Sequence, residues 1–333
     1  MKMTNEVYDI TIIGGGPVGM FAGFYAGLRE AKVQIIESLE QLGGQVAALY
    51  PEKQILDVAG FAGVSGRQLI QNLQDQLDTV PEVERHLNTK VTNVTRRDDY
   101  FTIETTQGTT RSRAVLLAAG NGSFKPRELR AENAEEETGK HLFYGISDLQ
   151  RFANHDVLVA GGGDSAVDMA LMLEPVANQV TLIHRRNEFR GLEKMVKKLE
   201  ASSVQIVTPY LIQKLTETAD DRVQVEAKRL KTDDDLIDLT VDDVVVNYGF
   251  IANNKDLQSW EVQPKLDHRL VQVNQELETS EPLLFCIGDQ AIYPGKDTLI
   301  ATGFGEAPVA VNTIMKRLYP DRRLPIHSTA LKR

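Results

Sequence analysis

The sequence predicts an α/β protein made of two units of the same kind, each a parallel sheet faced by helices. Three observations carry this. Apolar strands alternate with helical patterns from the first residues onward, the order that builds parallel sheets. The succession of strand, glycine-rich turn and helix occurs twice, at Ile10 to Met20 and at Val157 to Met169. Each copy is followed by a second strand that ends on residues of distinctive charge. Two copies with different ends are too few for a repeat array and read as two Rossmann-type dinucleotide-binding domains.

The elements follow in order. Val7 to Ile13 is a buried-type strand, Val18 to Arg29 a helix opening just after glycines, and Lys32 to Glu37 the next strand. Gly66 to Thr79 has helical spacing, with Leu69, Ile70, Leu73 and Leu77 on one face. Short β-like runs from 90 to 119 end in Ala114 to Ala119. The polar run Glu132 to Lys140 lacks apolar periodicity and reads as a surface loop. The pattern then restarts with a strand over Asp156 to Ala160, a helix over Asp164 to Leu173, and a strand over Gln179 to His184. A helix is expected over Arg190 to Ala201 and a β-meander over Val204 to Val246, including Arg222 to Leu230 and Asp238 to Val246. The strand Leu283 to Ile287 and the helix Gly305 to Leu318 close the series.

The 333 residues fit two domains, each able to bury its own core. Hydrophobic residues make up 42% and charged residues 25%, the balance of a water-soluble globular chain. No apolar stretch is long enough to span a bilayer, and the N-terminus lacks a secretory pattern. A single cysteine, Cys286, fits a reducing compartment, so the cytoplasm is expected. With 37 basic against 47 acidic residues, the net charge of -10 argues against general binding to nucleic acid or anionic membrane. The six histidines show no metal-ligand spacing, and no metal is expected.

The first loop, Gly14-Gly15-Gly16-Pro17-Val18-Gly19, matches G-x-G-x-x-G. Gly14 permits the tight turn, Gly16 lets a pyrophosphate approach the backbone, and Gly19 lets helix and strand pack closely. The helix N-terminus just after Pro17 offers free N–H groups to phosphates. Glu37 ends the following strand, where a carboxylate binds ribose hydroxyls and repels a 2′-phosphate. The second loop, Gly161-Gly162-Gly163-Asp164-Ser165-Ala166, matches G-x-G-x-x-A through Gly161, Gly163 and Ala166, with Ser165 inside it. His184 stands at the same offset from Gly161 that Glu37 has from Gly14, and Arg185 and Arg186 follow. Arginine presents paired, permanently charged donors to phosphate oxygens. The second unit therefore prefers NADPH to NADH.

These residues carry a resemblance over the whole length of the chain. It resembles the thioredoxin-reductase-like ferredoxin–NADP+ reductases. The motifs are the two glycine loops, Gly43-Gly44-Gln45, Leu49-Tyr50-Pro51-Glu52-Lys53, Phe124-Lys125-Pro126-Arg127, His184-Arg185-Arg186 with Phe189-Arg190, Gly288-Asp289 and His327-Ser328-Thr329. The resemblance implies two three-layer ββα domains, with an NADPH unit at 124–247 inserted between the FAD-domain halves 1–123 and 248–333. It implies FAD held by Glu37 at the adenosine ribose, Gln45 on the flavin side, Tyr50 stacked on the isoalloxazine, Val91 through its backbone at the adenine, and Phe124 closing around the cofactor. Asp289 would bind the ribityl or pyrophosphate region, and Thr329 would touch the flavin near His327. It further implies a homodimer that passes electrons to ferredoxin or flavodoxin.

Thioredoxin reductases carry a C-x-x-C pair just before the second glycine loop, where this chain reads Tyr144-Gly145-Ile146-Ser147-Asp148. Disulfide exchange needs an attacking and a resolving thiol, and one cysteine supplies neither pair nor partner. Flavin-mediated hydride and electron transfer needs no catalytic side chain, so none is assigned. Besides the carrier-protein reductase, an NADPH diaphorase or quinone reductase and a nicotinamide-responsive binding module without turnover remain open from the residues alone.

Overall fold

The computed structural model describes residues 6–322 apart from 121, 233, 234 and 254. The chain divides into two compact units, one of Met1–Ala47, Ile55–Ser123 and Asn253–Arg333, the other of Ala48–Gln54 and Phe124–Ala252.

In the first unit the strands Glu84–His86, Val33–Ile36, Val7–Ile13, Gly108–Leu117 and Leu284–Cys286 lie side by side. All of these neighbours pair in parallel. The lower half of Gly108–Leu117 also pairs antiparallel with Phe101–Thr105, which pairs in turn with Val91–Arg96. The long strand thus belongs to the parallel sheet and to a three-stranded meander at once. Val94, Phe101 and Ile103 of the meander pack against Val115, Leu117, Leu284 and Cys286, all buried. Helix Gly66–Asp78 buries Leu69, Ile70, Leu73 and Leu77, as its spacing predicts, and Ser65 caps its N-terminus by accepting the Gln68 N–H. Helix Pro17–Leu28 begins with proline at its first position, where a missing N–H costs nothing. It lies close to its neighbours because Gly23 is small: a Cβ there would come 2.7 Å from Ile35 Cδ1.

In the second unit five parallel strands run in the order Leu142–Phe143, Asp243–Asn247, Asp156–Gly161, Gln179–Ile183 and Gln205–Val207. One face meets helices Asp164–Leu173 and Glu193–Glu200, and the other a three-stranded antiparallel sheet of Tyr210–Glu217, Val223–Arg229 and Leu236–Val241. Val157 and Val159 pack with the helix residues Ala166, Val167 and Leu199. Their neighbours Leu158 and Ala160 pack with Ile212, Leu215 and Val225 of the antiparallel sheet. A sheet covered on both faces needs continuous apolar strands, which is why Val157 to Ala160 shows no alternation. Each fully buried aliphatic side chain stabilises by ~1.5–3 kcal/mol.

Four expectations change. The run expected as one meander over Val204 to Val246 is split: only Tyr210 to Val241 is antiparallel, while Gln205–Val207 and Asp243–Asn247 join the parallel sheet. The break falls at Asp242, whose carboxylate accepts the Asp156 N–H at 2.7 Å and the Arg222 Nε–H at 3.0 Å. The run Glu132 to Lys140 holds the short helix Ala134–Glu137, with Ala134 and Glu137 buried. The helix expected from Arg190 starts at Glu193, because the Arg190 N–H is bonded to Gly162 O and the Leu192 N–H to Asp164 Oδ1. The last helix starts at Ile300 rather than Gly305 and takes in Gly303, whose absent side chain makes room for Val18: a Cβ would lie 2.4 Å from Val18 Cγ2.

Candidate functional site

In the first unit the glycine loop is shaped by contacts no side chain could survive. Gly14 has φ +110°, and a Cβ there would lie 2.5 Å from Ala118 O. A Cβ at Gly19 would lie 2.0 Å from Gly14 O. Gly16 caps helix Pro17–Leu28 without a side-chain partner, and its Cβ direction is open except for Gly44 Cα at 4.0 Å. The first-turn N–H groups of that helix therefore face an accessible cradle.

Glu37 is 6% exposed. Its Oε2 accepts the Gly15 N–H at 2.7 Å, and its Oε1 accepts the Leu39 N–H at 2.9 Å and the Ser38 hydroxyl at 3.1 Å. A carboxylate offers about four acceptor positions. One stays available to a ribose hydroxyl, so the geometry fits the adenosine half of FAD. The Gly43 N–H donates to Gly15 O at 2.8 Å, which sets the start of helix Gly44–Leu49 and half-buried Gln45 beside the loop. Gln45 Nε2 lies 4.0 Å from the Cβ position of Gly120.

Asp289 sits half-buried in the 3-10 turn Gly288–Gln290, and Gly288 lies against Val18 of the loop helix. Burial pushes the Asp289 carboxyl up; the Lys296 charge opposes this and the Glu306 charge adds to it. Val91 opens its strand with a buried side chain, leaving only its backbone for a ligand.

Tyr50 follows helix Gly44–Leu49 in the chain and is half-buried. It belongs to the segment Ala48–Gln54, which clusters with the second unit, where Lys53 Nζ lies 5.9 Å from its ring and 2.8 Å from the Asp168 carboxylate. Phe124 lies in strand Ser123–Pro126, but its side chain, like Thr329 and His327, is outside the described residues.

In the second unit a Cβ at Gly161 would lie 2.5 Å from Asn247 O and 2.6 Å from the buried Ala166. The His184 ring occupies the side-chain position that Gly162 leaves empty, with its atoms 2.2–2.3 Å from a Cβ placed there. The same ring stacks on Phe189, centroids 5.7 Å apart. Desolvation, and then the charges of Arg185, Arg186 and Arg190, lower the His184 pKa, so the ring is neutral at pH 7 and acts by packing. Gly163 caps helix Asp164–Leu173 with nothing within 4 Å of its Cβ position, and Ser165 in the first turn is exposed. Arg185 and Arg186 are exposed and form no ion pair among the described residues. Nδ2 of Asn247, paired in register with Gly161, is buried without a hydrogen-bond partner. A spare buried donor beside an open helix N-terminus and two unpaired guanidinium groups fits a phosphorylated dinucleotide.

Sequence reasoning missed Asn247, the buried pair Lys296–Glu306, and a group formed by His141, Glu217 and Asp221, whose ligand-type atoms lie within 4.8 Å of one another. Strand and turn residues distant in the chain form that group, so no spacing announces it. Cys286 is fully buried, and desolvation pushes its thiol far up. No helix among the described residues is long and apolar enough to cross a membrane.

A family model described as pyridine nucleotide-disulphide oxidoreductase matches residues 8–313. The chain is 53% identical over 325 residues to a ferredoxin–NADP reductase of Lactiplantibacillus plantarum, covering 97% of this chain and 98% of the relative. It is 51% identical over 328 residues to ferredoxin–NADP reductase 2 of Latilactobacillus sakei, covering 98% of each. Its fold is similar to that of a thioredoxin reductase of Lactococcus lactis, with a TM-score of 0.79 at 24% identity over 93% of this chain and 98% of that one.

Proposed function

Because the chain belongs to the pyridine nucleotide-disulphide oxidoreductase family, and within it to the ferredoxin–NADP reductases, we propose that it carries electrons from NADPH through FAD to ferredoxin or flavodoxin. One observation carries the reading beyond family membership: the two glycine loops end in opposite charge. Glu37 accepts ribose hydroxyls and excludes a 2′-phosphate, whereas exposed, unpaired Arg185 and Arg186 attract one. One loop is built for FAD and the other for NADPH.

FAD, when bound, accepts the two electrons of a hydride together and releases them singly, as a one-electron carrier requires. The chain's residues bind and orient. Gly16 and the helix behind it would hold pyrophosphate, Glu37 would fix the adenosine ribose, and Asp289 would bind the ribityl or pyrophosphate region. Gly163, Ser165 and the two arginines hold NADPH. The only thiol, on Cys286, is buried and kept protonated, so disulfide exchange within the chain has no nucleophile.

The proposal extends to an NADPH unit over 124–247 inserted between FAD-domain halves 1–123 and 248–333, and to a homodimer in the cytoplasm. Tyr50, Phe124 and Thr329 complete the flavin site in this reading. The test is stopped-flow oxidation of the reduced protein by ferredoxin, flavodoxin and a quinone across an ionic-strength series. The carriers should react quickly and more slowly as salt rises, because an acidic carrier would dock on a local basic patch near the flavin edge whose field salt screens beyond ~10 Å at 0.1 M. Fast reaction with the quinone alone would replace the proposal with a diaphorase.

A further inference from the structure

One carboxylate in the first unit is surrounded by more donors than its place in a helix needs. Glu306 lies inside helix Ile300–Leu318 and is 4% exposed. Its Oε2 accepts the Gly288 N–H at 2.7 Å. Its Oε1 accepts the Tyr293 hydroxyl at 2.7 Å and pairs with Lys296 Nζ. The Lys296 side chain is 1% exposed, so both charges are withdrawn from water. Apolar side chains of similar volume usually serve a core as well as or better than a buried ion pair. This pair therefore calls for a reason other than stability.

The reason lies in what Glu306 holds. Gly288 has φ +71°, a conformation glycine adopts freely, and it begins the turn that carries Asp289. Its N–H points inward to Glu306, which fixes how the turn leaves strand Leu284–Cys286. Lys296 supplies the counter-charge to the Glu306 side chain. The same cation offsets the desolvation of Asp289.

We propose that Glu306, paired with Lys296, is a positioning residue of the flavin site that sets the Gly288–Asp289 turn for FAD. The inference rests on the reading that Asp289 faces FAD. Glu306 touches no cofactor; it acts through the turn, so its contribution should vanish when Asp289 is gone.

The experiment is a double-mutant cycle on the holoenzyme, with the FAD dissociation constant read from the fluorescence of flavin released on dilution. Glu306→Gln keeps the shape of the side chain but leaves Lys296 unpaired, and should raise the constant at least about tenfold. Asp289→Ala should raise it as well. The double variant should match Asp289→Ala alone, because the two residues act in one chain of contacts. Tyr293→Phe removes one hydrogen bond to Glu306 without stranding a charge. It should weaken FAD about two- to tenfold, again only when Asp289 is present. This milder variant carries the comparison if Glu306→Gln does not fold.

A merely structural role predicts effects that multiply in the double variants, and that result overturns the proposal. So does a Glu306→Gln holoenzyme within twofold of the unaltered protein. If Asp289→Ala binds FAD normally, the Asp289 assignment falls together with the proposal. An unaltered protein that holds no FAD refutes the functional reading itself.

Discussion

Replacing Arg185 and Arg186 together by alanine should separate the two nicotinamide donors. Both side chains are exposed and have no ion-pair partner among the described residues, so the change breaks no ion pair there. Stability should stay within ~0.5 kcal/mol, the range for surface substitutions. Binding should not. A hydrogen bond to a charged group contributes ~1.5–3 kcal/mol when shielded, and solvent exposure lowers each arginine to roughly 1–1.5 kcal/mol. Together they amount to about 2–3 kcal/mol, or a ~30- to 150-fold rise in the KM for NADPH. NADH lacks the 2′-phosphate, so its KM should change less than about threefold. The assay is steady-state dye reduction with each donor at low and moderate salt, and the NADPH advantage of the unaltered protein should shrink as salt rises. A second readout sits next door. Arg185 and Arg186 are among the charges that depress the His184 pKa, after desolvation, so their loss should move the His184 titration upward, toward its ordinary range. Equal losses for both donors would refute the reasoning and assign these arginines to shape rather than selectivity.

Three further outcomes follow from the same geometry. Glu37→Ala strands the Gly15 and Leu39 N–H groups in a buried site and should cost about 2–4 kcal/mol in urea unfolding, with a colourless product; full yellow colour would remove Glu37 from the FAD site. The glycines of the two loops should respond oppositely. Gly19→Ala places a Cβ 2.0 Å from Gly14 O and should cost at least ~3 kcal/mol, while Gly163→Ala meets nothing within 4 Å, should leave the Tm unchanged, and should still raise the KM for NADPH by obstructing the pyrophosphate. Iodoacetamide should leave the native protein unlabelled at pH 8 and label Cys286 once it is unfolded, because burial both hides the thiol and keeps it protonated. Rapid native labelling would reopen a redox role.

What the sequence made legible was local. Gly14 to Gly19 and Gly161 to Ala166 declare their turns because a strand, a glycine spacing and a helix follow within a few residues, and the structure forms both. Leu69 to Leu77 declare a helix face by spacing alone. What stayed hidden depends on distant partners. Asp238 to Val246 reads as one β-like stretch, and only the bonds from Asp242 to Asp156 and Arg222 turn it from one sheet to another. Gly303 falls outside the helix expected from Gly305, and only the space it leaves for Val18 shows why the helix takes it in. Tyr50 carries an aromatic plane but no sign that Lys53 and Asp168 tie its segment to the second unit. Glu306 reads as an ordinary helix glutamate, since nothing nearby in sequence shows that Gly288, Tyr293 and Lys296 converge on it.

The bonds from Glu37 to Gly15, Ser38 and Leu39 also bear on how quickly the protein matures. Each donor is one of the chain's own N–H or O–H groups, so the loop's shape is specified by the fold itself. The entropy of ordering it is lost once, at folding, and is absent from the later association step. Newly made chains can therefore fill in proportion to free FAD, at a rate governed by encounter. Binding of FAD to the prepared apoprotein should accordingly follow a single second-order phase, with no slow ordering step after encounter.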